Sequence, residues 1–131
     1  MKIAATQTAV SKDISTNAAL IRQVISDAAA EGVKLVSFCE GALSGYSKAQ
    51  IAIPDDWRFF DWFGYEKELR SIAELCGMLG IFAVVGGAHR LSAMERPHNS
   101  LYVFSGSGDL LTRYDKRFLS NSEINGWYTP G

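Results

Sequence analysis

The chain has 131 residues, is 47% hydrophobic and 21% charged, and balances thirteen Lys and Arg against fourteen Asp and Glu for a formal charge of −1. These totals fit one globular domain, residues 1–131. They give no electrostatic reason to expect nucleic acid or an anionic membrane as a partner, and the scattered charges form no acidic tail or basic arm.

The opening "MKIAATQTAV" predicts a first strand. Thr6, Gln7 and Thr8 interrupt it, so it is not the apolar core of a signal peptide. In "AALIRQVISDAAAEG", Leu20, Ile21, Val24, Ile25 and Ala28 recur at helical spacing. Asp13, Ser15 and Thr16 offer capping oxygens before that helix, and Gly32 is a left-handed stop after it. "VKLVSFCE" predicts a second strand, so strand, helix and strand suggest a parallel crossover. Residues 47–64 read as an aromatic-rich loop broken by Pro54. A second helix is expected from about Tyr65 to Leu79, with Leu69, Ile72, Ala73, Cys76 and Leu79 on one stripe and Gly80 at its end. "IFAVVGGAHR" predicts a third strand, and "NSLYVFS", "GSGD" and "LLTRYDK" a closing hairpin. The order is α/β, turning antiparallel toward the end.

No apolar run reaches the roughly 20 residues of a membrane span. Cys39 and Cys76 fit neither a disulfide framework nor a zinc pattern, so a cytoplasmic setting is expected. His89 and His98 flank a loop without a partner cluster, and no metal site is expected of them. "GSGD" precedes no helix and "VVGGAH" lacks a full dinucleotide fingerprint, which leaves a nucleotide-binding domain without support. Close backbone approach or a bulge accounts for the second pair of glycines.

Glu40 stands at the end of an apolar strand, where a carboxylate is costly to bury. It either satisfies backbone amides in the following turn or serves chemistry. On a strand, Cys39 and Glu40 would point to opposite faces, so Glu40 is not expected to activate its neighbour. Cys39 is expected to be a small core hydrophobe.

Four stretches carry a resemblance to the carbon–nitrogen hydrolase (nitrilase-like) superfamily, in family order. They are "KIAATQTAV" with "TNAALIRQVISDAAAEGVKLVSFCEGALSGY", "AVVGGAHR", "HNSLYVFSGSGDLLTRYDKRFL" and "SEINGWYTPG". The resemblance implies an α-β-β-α sandwich, of which this chain is the N-terminal portion: one mixed sheet backed by two helices, with an apolar face left for a second sheet. It implies a cysteine nucleophile served by a glutamate base, matched by Glu40 before Gly45 and Tyr46, and a lysine, matched by Lys116 in "YDK". Glu123 matches a second, assisting glutamate. Tyr46, Trp127 and Tyr128 are the candidate substrate-pocket residues, while most of "DDWRFFDWFGY" is expected to pack.

The implied substrates are small amides, carbamoyl compounds or nitriles, cleaved through a thioester with no metal or organic cofactor. A homo-oligomer, at least a dimer, is also implied. Two departures stand out: Cys39 occupies the place of a common proline, and Phe118 that of a common histidine. No cysteine stands where the family's nucleophile lies, downstream of Lys116. The chain is therefore expected to be inactive alone and truncated before that region. The competing expectation is a degenerate relative that works as a binding or interaction module.

Overall fold

The computed structural model describes residues 1–131. Its elements are β1 (Ile3–Ala5), α1 (Ile14–Ala30), β2 (Leu35–Ser37), α2 (Trp62–Leu79), β3 (Phe82–His89), β4 (His98–Phe104), β5 (Leu110–Asp115) and a short α3 (Asn121–Ile124). A 3₁₀ turn at Pro54–Arg58 precedes α2. The five strands form one sheet in sequence order. β1, β2 and β3 are parallel, and β4 and β5 continue antiparallel.

Both helices begin earlier than periodicity indicates, because an aspartate caps each. Asp13 accepts the Thr16 amide at α1, which places Ser15 and Thr16 inside the first turn. Asp61 accepts the Gly64 amide at α2, so Trp62 and Phe63 are helical, not loop. Gly32 and Gly80 take left-handed φ values of 75° and 64° at the helix ends, as expected. The largest correction is β2, which stops at Ser37. Its apolar run continues, and the Phe38 amide still bonds the Val84 carbonyl of β3, but Glu40 opens a turn.

α1 and α2 pack together, tied by an Arg22–Glu68 ion pair. One sheet face carries Val36, Ala83, Val85, Tyr102 and Phe104, all buried. The pleat turns Leu35, Val84, Leu101 and Val103 to the other face, where they are only half-buried. Ile3, Phe82 and Tyr114 on that face are 63%, 41% and 49% exposed. The face expected to be bare thus carries exposed and half-buried apolar side chains.

Trp57, Phe60, Trp62 and Tyr65 form a connected aromatic cluster, with Tyr128 5.6 Å from Trp57. Four of the six aromatics in "DDWRFFDWFGY" thus pack, whereas Phe59 and Phe63 are exposed. Tyr65 reaches the sheet, where its hydroxyl accepts the buried Ala88 amide at 2.9 Å. Tyr65→Phe leaves that amide without a partner and should cost ~1–3 kcal/mol. Urea unfolding of the two proteins measures the difference.

Candidate active site

Three glutamate and lysine side chains from distant parts of the chain meet on the open face. Lys116 follows β5 directly, and its Nζ lies 3.0 Å from Glu40 Oε1 and 2.9 Å from Glu123 Oε1. The three predicted catalytic residues are thus brought together. Tyr46 joins them, its hydroxyl donating to Glu123 Oε1 at 3.1 Å.

Glu40 is held by backbone packing. Its turn lies across Gly86 of β3, where an added Cβ would meet the Cys39 carbonyl oxygen at 2.1 Å and Glu40 Cα at 2.9 Å. The Leu43 amide donates to the Gly86 carbonyl at 3.0 Å and fastens the turn to the strand. Glycine at 86 is therefore a close-approach position, as expected for this pair of glycines. Glu40 was expected to be desolvated, yet its side chain is 45% accessible. The cause is local: the sheet face beneath it is uncovered.

Glu123 is the buried member, 2% exposed, and a capping box holds it. Ser120 caps α3 while the Ser120 amide donates to Glu123 Oε2 at 2.8 Å. Burial pushes this carboxyl up, but the Ser120 backbone bond and the bonds from Lys116, Ser120 and Tyr46 outweigh it and bring its pKa to about 2. Burial works against the Lys116 ammonium, but the bonds to Glu123 and Glu40 raise its pKa well above the usual lysine range. Lys116 is a fixed cation at neutral pH, not a base.

The depressed Glu123 pKa fixes the sign of a pH effect. An unfolded chain protonates Glu123 near its ordinary 4.5, whereas the folded chain resists until about 2. Its contribution is complete above 4.5 and is lost as pH falls toward 2. The melting temperature should fall across that window, and less steeply in Glu123→Gln.

Asn99 completes the cluster and was missed by sequence reasoning. It is 5% exposed, and its Nδ2 donates to Oε1 of Glu40 and, at 3.3 Å, to Oε1 of Glu123. The available signal was hairpin register. The Lys116 amide bonds the Asn99 carbonyl, so the two residues are cross-strand neighbours on one face.

Other predicted residues fall elsewhere. Trp127 and Tyr128 are 7% and 2% exposed and belong to the aromatic core, so they do not line the open cleft. The cleft over this cluster is bounded by Leu101, Tyr114 and Phe118, besides Glu40, Asn99 and Lys116. Phe118, in place of the common histidine, is 89% exposed. Cys39 packs partly buried against the core, and Cys76 is fully buried with its thiol pushed up to about 11 by burial. His89 and His98 correct another expectation: β-pairing sets them opposite each other and near Asp115 on the helix-covered face.

A bridged Glu–Lys–Glu cluster thus lies on a sheet flanked by one helical layer. The chain matches the carbon–nitrogen hydrolase family over residues 2–127 and belongs to it. Among solved structures it resembles an amidase from Nesterenkonia sp., with TM-score 0.77 and 21% identity over 100% of this chain and 48% of that one. A variant of the Nesterenkonia sp. AN1 amidase in complex with butyramide gives TM-score 0.81 at 20% identity, with the same coverage. Another variant, in complex with acrylamide, gives 0.76 at 23%, again over 100% and 48%. The chain therefore spans about half the length of these relatives and shares their fold. No curated protein matches it.

Proposed function

We propose that this chain supplies the base and the oxyanion-stabilising cation of a thiol-dependent hydrolase of non-peptide carbon–nitrogen bonds, of amidase type. The observation that carries this is Lys116 Nζ held between Glu40 and Glu123 at 3.0 and 2.9 Å on the open face. The resolved amidase relatives and the family match support it. The substrate is a small amide, carbamoyl compound or nitrile. Its nucleophilic cysteine comes from polypeptide that covers the open sheet face. Cys76 is buried in the core and Cys39 packs partly buried against it, so neither is assigned that role.

The chemistry follows from the positions. Glu40 takes the thiol proton, and the thiolate sulfur attacks the amide carbon. Lys116 faces the negative charge that develops on the substrate oxygen. Glu40 returns the proton to the departing nitrogen, which leaves as ammonia or amine, and an acyl thioester remains. Water, deprotonated by Glu40, attacks the thioester; the carboxylic acid and the free thiol are released. Glu123 and Asn99 touch no reacting atom and act by holding Lys116 and Glu40.

Ammonia release from a panel of short amides, carbamoyl compounds and nitriles tests this in the protein that carries this chain with its covering polypeptide. Turnover blocked by thiol alkylation is expected. A second reading, a non-catalytic interaction module, is favoured by the exposed apolar face. No turnover on any panel member, together with an intact fold, would select it.

A further inference from the structure

We propose that His89, His98 and Asp115 form a binding site for one imidazole-preferring divalent transition metal, with Zn²⁺ the ion that fits best. The sequence contains two histidines, and both are here. β3–β4 register sets His89 directly opposite His98, and their rings lie 5.7 Å apart at 21°. β4–β5 register sets Asp115 opposite Ser100, one row further along the same face. The donor atoms of the three residues lie within 4.8 Å of one another. A shared ion at about 2 Å from each would require the three donors to draw closer together.

Each donor has the support that metal ligands need. His98 Nδ1 lies 2.9 Å from the Thr129 carbonyl, which fixes a proton there and leaves Nε2 free to ligate. Asp115 Oδ1 accepts Ser100 Oγ at 2.6 Å and Arg113 Nε at 2.9 Å, which orients the carboxylate. His89 Nδ1 is buried with no hydrogen-bond partner, 3.6 Å from Asp115 Oδ2. A buried imidazole nitrogen with no hydrogen-bond partner, facing a carboxylate oxygen beside a second imidazole, is a donor set that a cation could bridge.

Charge selects the ion. Arg113 also reaches Asp115 Oδ2, at 3.3 Å, so the carboxylate's charge is largely balanced. Glu66 and Arg90 line the same cleft as His89 and offset each other. A site without net negative charge holds Mg²⁺ or Ca²⁺ poorly, since these bind through carboxylate charge. Imidazole nitrogens favour Zn²⁺, Ni²⁺ or Cu²⁺. The placement also matters: His98 and Asp115 directly adjoin Asn99 and Lys116, whose side chains project to the opposite face. An ion here clamps the strand ends that present the candidate active site.

The test is Zn²⁺ titration of the untagged protein by calorimetry, with Mg²⁺ in parallel. One Zn²⁺ per chain is expected, with no Mg²⁺ binding. His89→Gln and His98→Gln should each weaken it by at least about tenfold, and Cys39→Ser should leave it unchanged. In the unaltered protein, Co²⁺ should broaden the ring-proton resonances of both histidines, a readout independent of how the variants fold. Absence of Zn²⁺ binding, binding that survives His89→Gln in a folded protein, or binding lost in Cys39→Ser would each overturn the site.

Discussion

Gly86→Ala should destabilise the protein by about 2–3 kcal/mol, the upper part of the range for forcing an extra methyl into a packed interior. The side chain would point at the Cys39 carbonyl oxygen, the Gly41 amide and Glu40 Cα, at 2.1, 2.8 and 2.9 Å. All three are backbone atoms, so no rotamer change relieves the clash and the turn itself must lift. Lifting it breaks the Leu43–Gly86 bond and carries Glu40 away from Lys116. Stability and site geometry therefore fail together. Urea unfolding measures the first, and hydrogen exchange at the Leu43 amide reports the second. Unchanged stability with a protected Leu43 would show that the turn does not rest on Gly86.

Glu40→Gln should reduce kcat/KM by ~10³-fold or more in the protein that carries this chain with its nucleophile, the scale of a lost general base. The replacement is isosteric, and its amide oxygen still accepts from Asn99 and Lys116. What disappears is the ability to take and return a proton. Because Glu40 is 45% accessible and outside the core, the melting temperature should change little. A variant that keeps activity within about tenfold of the parent would remove Glu40 from the role of base.

Much of the fold was legible because it rests on local rules. Apolar stripes gave α1 and α2, left-handed glycines gave their ends, and a glycine-rich turn between two alternating segments gave the β4–β5 hairpin. Their starts were less legible, since Asp13 and Asp61 cap positions that apolar periodicity does not mark. β2 was overestimated because hydrophobicity persists through Phe38 and Cys39 after parallel pairing has ended.

Within the candidate site, Glu40, Lys116 and Glu123 carried motif signatures, and the structure joins them through Lys116. Asn99 carried none. Its importance is a product of register, which sets it across from Lys116 on the neighbouring strand and within bonding reach of Glu40. The histidine pair was invisible for the same reason: residues nine apart in sequence become cross-strand partners once β3 and β4 zip together. Trp127 and Tyr128 adjoin Glu123 in sequence, but both are drawn into the hydrophobic core, Tyr128 against Trp57.

The central claim is that Glu40 and Lys116 serve a thiol that forms an acyl intermediate. Intact-protein mass spectrometry of the protein that carries this chain with its proposed nucleophile, quenched in acid during turnover of a slow amide, tests it most directly. The account predicts an added mass equal to the acyl group, carried on a cysteine outside Met1–Gly131 and absent from Glu40→Gln and Lys116→Met. Turnover with no adduct, or an adduct on Cys39, would contradict it.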